Sequence, residues 1–144
     1  MPDLRRVAVL YNGRGENPVH AKSLSLIQKV APTMGLKLVE KPVKFNTDIE
    51  EALTSVSKSN ADGLFVICAT LFREHQMRMA AVMIEKRLPL MACNISATDN
   101  HALLTYTTDH YRLGRRGAWY VDRILKGTKP QDLPVEAPTY FELS

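Results

Sequence analysis

A parallel, doubly wound α/β sheet with helices on both faces is the fold class this chain predicts, and three observations predict it. Val7 to Tyr11 and Leu64 to Cys68 are continuous apolar runs without polar alternation, so each reads as a strand covered on both faces. Segments with helical spacing of apolar residues separate the strand runs. The resulting order, β-α-β-α-β-α-β-β-α-β, implies right-handed crossovers between parallel strands. The expected strand order is 2-1-3-4, with the first strand central.

The organising stretch is Arg6 to Pro18, RVAVLYNGRGENP. Its strand ends in Asn12, Gly13, Gly15, Asn17 and Pro18, which turn the chain into a helix. That helix spans His20 to Met34, with Val19, Leu24, Ile27, Val30 and Ala31 as its apolar stripe and Gly35 just past its end. Lys37 to Pro42 is a second strand. Asn46 or Thr47 caps the next helix, with Glu50 or Glu51 reaching back as in a capping box. That helix runs to about Ser59 and buries Ile49, Leu53 and Val56. After the third strand, Phe72 to Arg87 is a helix with Met77, Ala80, Ala81 and Ile84 inward, and with Arg73, Arg78, Glu85 and Lys86 in water. Leu88 to Cys93 and Leu103 to Tyr106 are strands. Asp109 caps a long helix to about Lys126, stopped by Gly127. Three prolines make Lys129 to Pro138 extended, and Tyr140 to Leu143 forms a last strand. The division is 1–102 as an α/β lobe and 103–144 as a crossing strand, long helix and extended C-terminal segment.

With 144 residues the chain is long enough for one domain with a real core. A net charge of +4 permits nucleic acid without requiring it, and few aromatics interleave with the arginines, so no nucleic-acid partner is expected. No apolar run approaches a membrane span, and no signal peptide is visible, which places the chain in the cytoplasm if it is a complete product. The two cysteines, Cys68 and Cys93, show no metal spacing. They are expected as free, partly buried thiols, with a disulfide as the other option.

Catalytic signatures are missing. There is no Walker phosphate loop, no third glycine or acidic partner for a dinucleotide, and no nucleophile elbow. The four histidines are scattered among polar neighbours and read as solvated. No enzyme, cofactor or metal is expected. What remains is the carboxyl edge of the sheet, where small ligands bind in open α/β folds. Its loops hold Asn12, Asn17, Thr70, Phe72, Asn94, Ser96 and Asp99. Amide and hydroxyl groups with a helix N-terminus suit a carboxylate, Asp99 suits an ammonium, and Phe72 suits stacking. The same residue types also serve as ordinary turn and cap residues. On the long helix, Arg112, Arg115, Arg116, Arg123 and Lys126 form a solvated cationic face, and Leu113, Gly117, Tyr120, Val121 and Ile124 form the apolar one.

Four stretches, RRVAVLYN, ADGLFVI, RLPLMA and YRLGRRGAWYVDRILKGTKPQDLPVEAPTYFEL, resemble the ABC transporter substrate-binding proteins of the tryptophan/tyrosine-type group, with the type I periplasmic-binding fold. The closing run is the most specific. The resemblance covers nearly the whole chain but only part of the family's length, and implies a second lobe plus the segment crossing back to the first. It implies an extracytoplasmic receptor passing a small solute, such as an amino acid, to an ABC permease. Its ligand-binding residues would be Asn12, Asn17, Thr70, Phe72, Ser96 and Asp99. Without a first lobe, the apolar face of the 109–126 helix seeks cover, and a homodimer through that helix is expected. The alternative is a cytoplasmic ligand-sensing or dimerising regulatory domain of the same fold. An enzyme of flavodoxin-like architecture is disfavoured, because no phosphate loop or acidic pocket is present.

Overall fold

The computed structural model describes residues 4–15, 18–92 and 102–143. Its strands are β1 (Arg6–Asn12), β2 (Lys37–Val43), β3 (Gly63–Val66), β4 (Leu90–Ala92), β5 (Leu104–Thr108) and β6 (Phe141–Leu143). Its α-helices are α1 (Pro18–Val30), α2 (Asp48–Ser55), α3 (Gln76–Glu85) and α4 (His110–Leu125). They form one sheet of order β2-β1-β3-β4-β5-β6. Pairing is parallel from β2 through β5, and β6 closes antiparallel on β5. The expected 2-1-3-4 order with β1 inside is therefore present and extends by two strands.

The two-sided apolar run of β1 divides as a pleat requires. Ala8 and Leu10 join the core with Leu64, Val66 and Leu90, beneath Ile49, Leu53 and Val56 of the α2 segment and Met79 and Met83 of α3. Val7 and Val9 face the other way, toward Leu26, Ile27 and Val30 of α1. Helices thus cover both faces, but unequally. The α2/α3 side is closed, whereas no residue of α1 is fully buried. Leu26, Val30 and Met34 stay about half exposed or more, and an apolar groove of about 540 Å³ runs between them and β1, β3 and β4.

Element ends follow their local chemistry. A 3-10 turn (Ala31–Met34) tightens the end of α1 at Pro32, and Gly35 stops it in the left-handed region at φ 70°. Asp109 caps α4, its Oδ1 accepting from the Arg112 N–H at 2.8 Å, and Gly127 follows with φ 96°. β5 runs to Thr108, two residues past the expected end, because β6 pairs with Tyr106 to Thr108.

Five expectations need correction. The capping box on α2 is absent, since Thr47 makes no side-chain cap. Asp48 instead reaches back, its Oδ2 accepting from the Lys44 and Phe45 N–H groups at 3.0 Å each, and α2 stops at Ser55 rather than Ser59. The helix expected from Phe72 opens as a 3-10 turn over Thr70–His75, and only then becomes α3. Its inward stripe is also rotated. Met79, Ala80, Val82 and Met83 are buried, while Met77 and Ile84 are 71% and 53% exposed. Lys86 belongs to the inner side as well. Its Nζ donates to the carbonyls of Leu53, Thr54 and Val56 at 2.7, 2.9 and 2.6 Å, satisfying the open C-terminal end of α2 with a cation.

At the amino edge of the sheet, Asp62 fastens the start of β1 to the turn before β3. Its Oδ2 accepts from the Arg6 and Arg5 N–H groups at 2.7 and 3.0 Å, and its Oδ1 from Arg6 Nη2 at 2.7 Å. The Arg6 guanidinium, then those two backbone donors, hold the Asp62 carboxyl well below the usual carboxylate range. A depressed folded pKa gives stability that is present above the unfolded value, near 3.9, and is lost as pH falls below it. Asp62→Asn is expected to lower the melting temperature at pH 7 and to shrink the drop between pH 7 and pH 3. Melts at the two pH values check this, and an unchanged drop contradicts it.

Candidate functional site

The carboxyl edge of the parallel strands gathers the described candidates. β1 ends in Asn12, whose Oδ1 accepts from the Arg14 N–H at 3.0 Å and so closes a tight turn. Gly13 donates its N–H to Val43 O at 2.8 Å. A Cβ there would stand 2.9 Å from Pro42 Cβ, so only glycine lets the turn approach β2. Gly15 carries a φ of 72°, which favours glycine again. On one side, Arg14 Nε donates to Lys44 O, and its guanidinium lies 4.9 Å from the centre of the Phe45 ring.

On the other side lies the chain leaving β3. The β1/β3 register sets Leu10 beside Val66, and the Ile67 N–H donates to Leu10 O at 2.9 Å. Carried two residues on, that register brings Asn12 and Cys68 to neighbouring positions. Thr70 follows on the surface at the start of the 3-10 turn. Across the edge the order is Phe45 and Arg14, then Asn12 and Gly13, then Cys68 to Thr70. The described groups are neutral donors and acceptors with two cations, Arg14 and Lys44, beside the turn, a set that suits a carboxylate or zwitterion better than a metal. Among the described residues there is no cluster that could hold a metal ion.

The structure brings Asn12 and Thr70 to this edge. Phe72 it does not, because the ring is 3% exposed and packs in the core. Its backbone N–H donates to Ala69 O at 3.0 Å, so the residue anchors the loop and offers no face for stacking. Asn17, Ser96 and Asp99 lie outside the described residues. Arg14, not among the sequence-predicted residues, also lies at this edge, as the one cation inside the Gly/Asn turn. The thiol expectation also fails for Cys68, which is disulfide-bonded and exposed. The sequence's other cysteine, Cys93, lies outside the described residues.

A second concavity, about 1120 Å³, lies between α4 and residues 134–140, with Thr108 and Asp109 at the carboxyl end of β5 in its lining. Arg116 pairs there with Glu136 through Nε at 2.7 Å, and Tyr120 Oη donates to Pro134 O at 2.7 Å. Arg112 sits over Tyr140 at 4.1 Å and Arg116 over Trp119 at 3.9 Å. The fold therefore interleaves aromatics with the arginines in a way that spacing along the chain concealed. No residue of α4 is buried, so the stripe expected to meet a second copy lies on the surface.

A mostly parallel six-stranded sheet with β1 inside, helices on both faces and polar turns at its carboxyl edge defines an α/β fold of the periplasmic-binding type. The chain belongs to the ABC transporter substrate binding protein family, whose model matches residues 1–143. A "Tyrosine-binding protein" of Clostridioides difficile is 22% identical over 135 residues, covering 93% of this chain and 38% of its own length. The fold matches the ABC domain of a Streptococcus pneumonia protein in complex with L-Trp at TM-score 0.82 and 17% identity, over 99% of this chain and 48% of that one. A conserved domain protein of Vibrio cholerae matches at TM-score 0.77 and 23% identity, over 99% and 47%. A ligand-free, open substrate binding protein with adhesive properties from Clostridium difficile matches at TM-score 0.72 and 20% identity, over 99% and 47%. The chain spans less than half the length of these relatives. The tryptophan/tyrosine-type resemblance and the fold class it implied both hold.

Proposed function

We propose that this chain serves as one lobe of a solute-binding protein and presents the carboxyl-edge loops of its sheet to an aromatic amino acid or similar zwitterion, for delivery to an ABC permease. The observation that carries the reading is the turn Asn12 to Gly15 at the end of an inner strand, with Thr70 two residues beyond Cys68 in the loop that follows β3. Asn12 spends its Oδ1 on the turn, which leaves its Nδ2 to donate to a ligand carboxylate beside the Arg14 guanidinium. Family membership and the likeness to a fold that holds L-Trp support the ligand class. The exposed Cys68 disulfide supports an oxidising, extracytoplasmic location. Asn17, Ser96 and Asp99 belong to the same proposal, Asp99 as the ammonium partner.

One lobe encloses much less of a ligand than two, so the dissociation constant for the isolated chain is expected near 1 mM, an order of magnitude only. Titration with L-tryptophan, L-tyrosine and glycine, followed by backbone amide NMR, tests it. Aromatic amino acids should shift the amides of Gly13 to Gly15 and Thr70, glycine should not, and Asn12→Ala should weaken binding several-fold. Shifts confined to the α4 groove, or none at 10 mM, would sink the reading.

A further inference from the structure

Phe45 stands two residues beyond the end of β2, at the same carboxyl edge as the turn that follows β1. The Gly13 N–H bond to Val43 O at 2.8 Å and the Arg14 Nε bond to Lys44 O tie that turn to the chain carrying Phe45. The backbone of Phe45 is held on both sides. Its N–H donates to Asp48 Oδ2 at 3.0 Å, and its carbonyl accepts from the Asp48 N–H at 3.0 Å. The Arg14 guanidinium lies 4.9 Å from the ring centre. The residue is still 56% exposed, so ring surface beyond Arg14 is open. Phe72 lies in the core, and Phe45 is the ring beside the turn.

We infer that Phe45 is the aromatic wall of the solute site and sets its preference for aromatic over aliphatic amino acids. This rests on the solute reading above and names the side chain that selects within it. Arg14 joins the two halves of such a site. Its Nε is engaged by Lys44 O, which leaves its Nη groups to take a carboxylate together with Asn12 Nδ2. The same guanidinium lies over the Phe45 ring. Neighbouring parallel strands stand about 5 Å apart, so the turn and the Phe45 backbone fall within the span of one amino acid. A ligand whose carboxylate meets the turn lays its side chain toward Phe45. An aromatic side chain there pairs with the ring, at a centroid separation of about 4.5–7 Å. An aliphatic one gains burial without that pairing. Because Asp48 fixes the Phe45 backbone before any ligand arrives, the wall is preformed and little ordering is added on binding.

The test titrates L-tryptophan and L-leucine into the wild-type chain, Phe45→Leu and Phe45→Trp, followed by backbone amide NMR. Phe45→Leu keeps an apolar side chain and removes the π face, and Phe45→Trp restores it. Exposure of the site lets both variants fold, with melting temperatures within about 2 °C of wild type. Wild type should bind L-tryptophan about five-fold more tightly than L-leucine, the fold-change of one aromatic pair. The Phe45 amide should shift with those of Gly13 to Gly15. Phe45→Leu should bring the ratio near one by weakening L-tryptophan while L-leucine stays nearly unchanged, and Phe45→Trp should recover the preference. An unchanged ratio in Phe45→Leu, or an equal loss for both amino acids, overturns the assignment and leaves the solute reading standing. L-tryptophan shifts at the turn without one at Phe45 do the same. If wild type takes up neither amino acid at this edge, the solute reading falls and the role of Phe45 falls with it.

Discussion

Replacing Leu10 by alanine is expected to destabilise the chain by about 3 kcal/mol. Leu10 is fully buried, and it sits on the inner strand β1 where β2 and β3 flank it on both sides. Its side chain faces the one closed layer of the molecule, beneath α2 and α3. Sheet and helices together leave that site little freedom to collapse, so a cavity remains and adds to the lost transfer free energy. The effect is large against the whole, because a domain of this size is stable by only about 5–15 kcal/mol, and the half-open α1 face places this one toward the lower end. Urea unfolding should show a lower midpoint with an unchanged slope. Leu26→Ala, at a site 54% exposed on α1, should change stability by less than about 1 kcal/mol and serves as the control. A Leu10→Ala cost below that of Leu26→Ala would mean that the α2/α3 layer does not carry the core.

What could be read from residues alone was whatever one local signal determines. Val7 to Tyr11 announced an inner strand because no polar residue interrupts it. Gly35 and Gly127 announced helix ends because both positions need positive φ. Asp109 announced a cap because its carboxylate has a single short reach, to the N–H three residues on. Ile49, Leu53 and Val56 fixed the inner face of α2, since polar residues separate them. The candidate site was legible only as an edge: Asn12 and Thr70 follow from strand order, once the strands are parallel.

What escaped was decided by groups distant in sequence. Phe72 read as a stacking ring because it falls in a carboxyl-edge loop, yet the core drew it in. Lys86 read as solvated because it is charged, yet three carbonyls of another helix receive it. Arg14 acquired meaning only when β2 brought Phe45 and Lys44 O beside it. In each case the missing information was a partner distant in sequence.

The second large effect comes from the element whose phase the sequence left open. From Met77 to Ile84 nearly every residue of α3 is apolar, so stripes starting at Met77 and at Met79 both fit helical spacing. The choice falls to the residue that continues each stripe. From Met79 the spacing leads through Val82 and Met83 to Lys86, whose ammonium closes the end of α2. From Met77 it leads through Ala80, Ala81 and Ile84 toward Arg87 and Leu88, with no helix end to satisfy. Met79→Ala is therefore expected to cost about 3 kcal/mol, and Met77→Ala about 0.5 kcal/mol or less. The pair forms an internal comparison, because helix propensity changes equally at the two sites and cancels. Chemical denaturation of both variants measures the difference. Equal costs, or a larger one at Met77, would rotate α3 on the sheet and with it the position of Lys86 on α2.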